Sequence, residues 1–266
     1  MIGCADEAGG VVRALEAVEL IPVAAAAGWI DAVVGGGGLL QLPAMLVAFP
    51  GLPTATVLGT NKAVAITGTG TACATYLRRT TPDWPFTGLA AAVALPAAVA
   101  GALVASRLPG AVFRPLIMVA LLAVGLFVTL RPDFGRTHEP VRLDRRRANL
   151  LAVLSGGGIG FYDGVIGSGT GTFLIIIFLL VLRTDFLRGS AMAKVVNVST
   201  NFGALVVFVV EGHVMWPLAA CMAVGNVTGG TVGARMALRR GASFVRYALL
   251  VVVVALVAKL AYDQWA

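Results

Sequence analysis

The second half of this chain repeats its first. At one constant offset Asp31 falls on Asp163 (31 + 132 = 163), Gly35 on Gly167, Gly37 on Gly169 and Lys62 on Lys194. The pair Trp84-Pro85 falls on Trp216-Pro217, Gly101 on Gly233, Arg107 on Arg239 and Arg114 on Arg246, without a gap. Glycines coincide by chance in a chain with 33 of them, whereas an aspartate, a lysine and a Trp-Pro pair within apolar sequence do not. A two-fold internal repeat with an interrupted first element, in so apolar a chain, is a pattern of secondary transporters. It points to a site where the halves meet.

Composition places that repeat in a bilayer. Of 266 residues 58% are hydrophobic and 12% are charged, against about 25% charged in soluble domains, so the apolar surface exceeds what one water-soluble core hides. The net charge of +7 would suggest nucleic acid in a soluble protein. Here the arginines cluster between apolar runs, as cytoplasmic loops require, and nucleic-acid binding is not expected. Cys4, Cys73 and Cys221 imply neither a disulfide nor a metal framework, because Cys73 and Cys221 lie in apolar runs. Asp6, Glu7 and Glu16 stand where a cleaved signal peptide would carry positive charge, so none is expected.

Six runs are long and apolar enough to span: Thr54–Leu77, Phe86–Ser106, Val112–Leu130, Gly189–Val210, Val214–Leu238 and Ser243–Tyr262. Two more, Val18–Phe49 and Leu150–Leu182, are too long and carry Gly35–Gly38 and Gly167–Gly171 at their middles. Each glycine weakens a helix interior by roughly 1 kcal/mol relative to Ala, so each long run is expected to split into two half-helices around a bare-backbone turn. If both are re-entrant hairpins, Arg78-Arg79, Arg183, Arg188, Arg235, Arg239, Arg240 and the arginines from Arg131 to Arg147 all face inward. Only Arg107 and Arg114 then face outward, with both termini. The halves are then inverted relative to one another, in about eight membrane segments. The rival is a simple eight-span count. The expected organisation is a first repeat over 1–130, a cytoplasmic linker over 131–147 and a second repeat over 148–266.

An ionisable residue deep in an apolar run is a functional candidate. Asp31, Lys62, Asp163 and Lys194 qualify, two residue types each repeated once. Half-helix N-termini present unpaired N–H groups and partial positive charge, and glycine lets a ligand approach the backbone. Gly35, Gly36, Gly37 and Gly38 with Gly167, Ser168, Gly169, Thr170 and Gly171 therefore suit an anion cradle. Lys62 and Lys194 would supply charge, and Asn61 and Asn197, with Thr60, Ser199 and Thr200, hydrogen bonds. Lysine and backbone amides accept tetrahedral or pyramidal oxyanions without one fixed geometry. Each assignment has a plainer alternative. The glycines would serve close helix packing, the lysines would snorkel to the interface, and the aspartates would cap half-helices or pair with the lysines instead of coupling an ion. Trp84 and Trp216 read as interfacial anchors, and His138, His213 and Glu211 as surface residues.

Enzymatic readings find no support. There is no Gly-x-Ser-x-Gly elbow, no His-Glu-x-x-His helix and no Gly-Lys-Ser/Thr after Gly35–Gly38. Both histidines lie outside the apolar runs, so no metal centre and no cofactor is expected.

The order Gly35-Gly36-Gly37-Gly38-Leu39-Leu40-Gln41-Leu42-Pro43, Leu52-Pro53, Gly59-Thr60-Asn61 resembles the first-repeat motif of the sulfite exporter TauE/SafE family. Gly160-Phe161-Tyr162-Asp163-Gly164, Gly167-Ser168-Gly169-Thr170-Gly171, Ala193-Lys194 and Asn197 resemble its second-repeat motif, and the likeness covers roughly residues 18–260. Ile175-Ile176-Ile177 stands where that family often has a proline, and Met192-Ala193 where Thr-Ser is more usual. The resemblance implies an all-α transporter in a bacterial plasma membrane that moves sulfite, sulfonates or related sulfur-containing anions, commonly outward. Its expected partners are a small anion and membrane lipid, and the sequence leaves room for a homo-oligomer. An anion channel on the same scaffold and a non-transporting membrane subunit remain the alternatives.

Overall fold

A computed structural model describes the backbone over residues 3–108 and 144–265, and side chains over 18–108 and 144–241 with a few beyond. The expected span Val112–Leu130, most of the expected linker, and His138 and Arg114 lie outside the described residues. Within them the chain is helical throughout: α1 (Gly3–Val34), α2 (Gly38–Ala48), α3 (Thr54–Leu77), α4 (Trp84–Ala105), α5 (Arg145–Val165), α6 (Thr170–Leu182), α7 (Phe186–Val210) and α8 (Trp216–Trp265). No strand occurs among the described residues. Two helices, α4 and α7, are by length and apolarity sufficient to cross a membrane.

The glycine clusters break both long runs, as the helix penalty of glycine predicts. Gly35 takes φ 86° and ends α1, and α2 restarts at Gly38. Gly167 and Gly169 take φ 72° and 78° between α5 and α6. An L side chain is strained in this left-handed region and glycine is not. α2 and α6, of 11 and 13 residues, are too short to span a bilayer alone. The two runs expected after Val214 are two helical segments of α8 that meet at a non-helical turn at Gly241, φ 74° and ψ −170°.

The halves are interleaved. α1 packs most extensively on α8 and α5 on α4, while α3 packs on α8 and α7 on α4. At the repeat offset α1 corresponds to α5, α3 to α7 and α4 to α8, so every large contact has its counterpart. The close approaches repeat as well. A Cβ added at Gly28 would collide with the Asn226 carbonyl, and one at the equivalent Gly160 with the equivalent Ala94 carbonyl. Gly101 abuts the Phe161 carbonyl as Gly233 abuts that of Trp29. Small residues thus bring helix backbones together, as they do in membranes.

Two apolar cores form at opposite ends of the bundle. One gathers Tyr76, Phe86, Phe178 and Met192, the other Leu42, Met45, Phe208 and Met222. Tyr76 and Phe208 hold equivalent places in them, as do Ala90 and Met222. On α3 the second core takes Val57 to Val64 and the first takes Ala72 and Tyr76. The face of α3 from Asn61 to Thr69, where the two meet, carries the polar site. Trp84 and Trp216 open α4 and α8 with 53% and 56% of their surface exposed, the placement expected of interfacial anchors.

Candidate functional site

The two helix breaks touch. Thr172 N donates to the Gly35 carbonyl at 3.2 Å and Thr172 Oγ1 to the Val34 carbonyl at 2.8 Å. Ser168 Oγ donates to the Gly38 carbonyl at 3.4 Å, and Tyr162 Oη to the Ser168 carbonyl at 2.6 Å. Neither α2 nor α6 has a side-chain cap at its N-terminus. The amides of Gly38, Thr170 and Gly171 make no hydrogen bond among the described residues. Uncapped N-termini of this kind are anion-directed by their unpaired N–H groups and partial positive charge.

The four ionisable groups, three of them buried and Asp31 partly so, pair across the halves. Lys62 Nζ of α3 lies 2.6 Å from Asp163 Oδ2 of α5. Lys194 Nζ of α7 lies 2.9 Å from Asp31 Oδ2 of α1 and also donates to the Asp31 carbonyl. The second pair is the first displaced by the repeat offset on both partners. Neither lysine snorkels, since Lys62 and Lys194 are buried to 1% and 0% exposure. The pairing alternative for the aspartates is the one the structure takes, and the lysines are not free charges.

The pairs are nonetheless unlike. Asp163 is sealed at 1% side-chain exposure and also accepts from Thr170 Oγ1 at 2.6 Å, while Lys62 also donates to Asn201 Oδ1 at 3.2 Å. Asp31 keeps 16% exposure, accepts from Thr69 Oγ1 at 2.9 Å and lines a polar cavity. That cavity, about 20 Å³, is walled by Gly35, Gly37, Gly38, Gly167, Thr170 and Gly171 of the breaks, and by Asn61, Asn197 and Thr69. Of the residues singled out by sequence as ligands or ion couplers, Gly36, Lys62, Asp163, Ser168, Gly169 and Lys194 do not line it. Gly167 gives Lys62 its room, because a Cβ there would come within 2.9 Å of Nζ.

Of the polar cavity residues not singled out as ligands, Thr69 binds Asp31 and three are carboxamides: Gln41, Asn201 and Asn226. Asn226 Nδ2 donates to Gln41 Oε1 at 3.0 Å and to the Ala24 carbonyl at 3.2 Å, and Gln41 Nε2 donates to Asn61 Oδ1 at 2.8 Å. Their repeat equivalents are Phe173, Thr69 and Ala94, so a search for matched residues passes over them. A buried carboxamide in an apolar run is the signal that finds them. Asn61 Nδ2 and Asn197 Nδ2 donate to no group among the described residues. With the amides of the breaks they make a set of donors around one small space. No cluster able to hold a metal occurs among the described residues.

The family model of the sulfite exporter TauE/SafE family matches residues 20–260. "Probable membrane transporter protein ORF9" of Sinorhizobium is 36% identical, over 89% of each chain. "Probable membrane transporter protein YfcA" of Escherichia coli is 33% identical over 91% of this chain and 88% of its own. A "Probable membrane transporter protein" of Haemophilus influenzae is 30% identical over 90% and 91%. No solved structure matches.

Proposed function

The chain belongs to the sulfite exporter TauE/SafE family, whose members are integral membrane transporters, and on that premise we propose that it carries a small sulfur oxyanion or organosulfonate by alternating access. The observation that carries the reading is a small, donor-lined cavity between two helix breaks, with two ion pairs beside it that each join one half to the other. Sulfite and sulfonates present three oxygens to N–H donors, which Asn61, Asn197 and the uncapped turns of α2 and α6 supply. A water needs about 10–15 Å³ of such space, so a cavity of about 20 Å³ takes one water and no sulfonate. The substrate enters only when the helices part, which favours a carrier over an open pore.

Inversion of the halves fits the same picture. α3 ends where α7 begins, since Arg78 and Arg79 line a surface cavity, distinct from the central one, together with Leu187, so these equivalent helices run in opposite directions. The arginines at that end support a cytoplasmic position for it in a bacterial inner membrane, an orientation in which the Gly-rich helices would re-enter toward the midplane.

Charge balance divides the aspartates. Two lysines and two aspartates cancel, so an incoming anion adds an uncompensated charge in a low-dielectric site. Asp31 is the carboxylate that touches the cavity, and a proton there would free Lys194 for the substrate. Asp163, sealed and held by Lys62 and Thr170, keeps a structural role. An anion moving outward also gains about 2.3 kcal/mol per charge per 100 mV of inside-negative potential. No catalytic step is needed.

Thermal stability of the detergent-purified protein against sulfite, sulfate, thiosulfate, sulfoacetate, taurine, phosphate and acetate tests the reading. A ligand at 100 times its Kd stabilises by about 2.7 kcal/mol. The expected result is stabilisation by one sulfur anion, lost in Asn61→Ala with Asn197→Ala. A flat response across the panel removes the cradle.

A further inference from the structure

A second polar cavity, of about 530 Å³, opens at the end of the bundle where α3 stops and α7 starts. Arg78 and Arg79 reach it from the C-terminus of α3, Arg235 and Arg239 from α8, with the hydroxyl-bearing Thr75 and Thr80 beside them. Its volume falls within the roughly 300–1,000 Å³ of small-molecule sites. None of these four arginines forms an ion pair with a carboxylate among the described residues. Arg240, next in the chain, lies over the Phe244 ring at 5.1 Å and is absent from the lining.

Loop charge that only sets orientation requires no convergence. Here four guanidiniums from segments some 150 residues apart in sequence share one concavity. The repeat does not explain it either. The equivalents of Arg78, Arg79, Arg235 and Arg239 are Val210, Glu211, Leu103 and Arg107, so the matching positions of the other half carry one arginine and an acid. The cavity is a departure from symmetry on one face only. It is also separate from the central site. From Thr69 to Arg78 α3 rises about 14 Å, and Tyr76 lies between, fully buried, its hydroxyl donating to the Ala32 carbonyl at 3.0 Å.

We infer that this cavity is a second anion-binding site, one that takes a multiply charged oxyanion group of the phosphate or sulfate type. Guanidinium forks bind such groups through paired N–H donors, and two or more forks match a dianion in both charge and geometry. The group is borne either by a soluble anion or by a lipid headgroup at the membrane surface. The site stands whether or not the central cavity carries an anion.

The test uses full-length protein in neutral detergent at low ionic strength, where exposed charge is least screened. Inorganic phosphate is titrated calorimetrically. In parallel, nanodiscs of phosphatidylglycerol or phosphatidylcholine are examined for retained lipid by native mass spectrometry. Arg79→Gln with Arg239→Gln is expected to weaken phosphate binding about ten-fold or more, as loss of charge-assisted hydrogen bonds implies, while Gly70→Ala, which lies in neither lining, leaves it unchanged. Selective retention of phosphatidylglycerol, lost in the same variant and without phosphate binding, assigns the group to lipid. Arg78→Gln with Arg235→Gln reads the site independently if the first variant is unstable. Binding of neither probe, or binding that survives both pairs of substitutions, overturns the inference.

Discussion

The two ion pairs occupy equivalent places in the repeat and do different work. Lys62–Asp163 is sealed, with side chains 2% and 1% exposed, and locked by Thr170 and Asn201. Lys194–Asp31 has its carboxylate 16% exposed to the polar cavity. Repetition supplied the same two residue types twice, and the neighbours made them unlike. Thr170 has Gly38 as its equivalent, and Asn201 has Thr69. Duplicated charge therefore marks where the two halves meet, and the unmatched polar residues around it decide which copy opens to the cavity.

The comparison breaks most visibly through stability. Asp163→Ala leaves Lys62 buried without its partner, and an uncompensated buried charge costs about 3–5 kcal/mol. Asp31→Ala is expected to lose clearly less, because Lys194 can draw water from the cavity. Chemical denaturation in detergent micelles measures both, and equal losses would erase the distinction. Replacing both sealed partners, Lys62→Met with Asp163→Leu, should recover most of the single-variant loss. If it does not, the pair contributes more than charge compensation.

Next in size is Gln41→Leu. It leaves an acceptor on Asn61 and a donor on Asn226 without their mutual partner, at about 1–3 kcal/mol. A melting temperature equal to that of the parent would show that the carboxamide chain is not what holds these side chains. Close packing gives a matched pair of smaller effects. Gly28→Ala and Gly160→Ala each drive a methyl into a facing carbonyl, at Asn226 and Ala94, and overpacking costs typically 1–3 kcal/mol. The two should agree, since the backbones repeat even where the side chains do not. Smallest is Gly70→Ala, inside α3 with nothing near the added methyl. It should raise stability by roughly 0.5–1 kcal/mol.

Much of the architecture was legible in the sequence because it rests on backbone chemistry. Gly35 and Gly167 announced the breaks, as positive φ at both confirms. The constant offset announced which helices correspond. It could not announce that the halves interleave, because packing of α1 on α8 in preference to α4 is decided by facing surfaces such as Gly28 against Asn226. For the site, Asp31, Lys62, Asp163 and Lys194 were found as ionisable residues in apolar runs, but not who pairs with whom. Sequence proximity offers no hint, with partners 101 and 163 positions apart. Gln41, Asn201 and Asn226 were passed over because weight fell on residues matched between the halves, and these three are unmatched.

The central claim is that an anion is carried through the cavity beside Asp31, and counterflow in proteoliposomes tests it most directly. Protein reconstituted with unlabelled sulfite inside is given a trace of radiolabelled sulfite outside, with Asp31→Asn and Asp163→Asn in parallel. The account predicts saturable, counterflow-stimulated uptake by the parent protein and, among variants that fold, a change in its dependence on pH for Asp31→Asn alone. Flux that grows linearly with concentration without counterflow stimulation, or identical behaviour of the parent and Asp31→Asn, would contradict it.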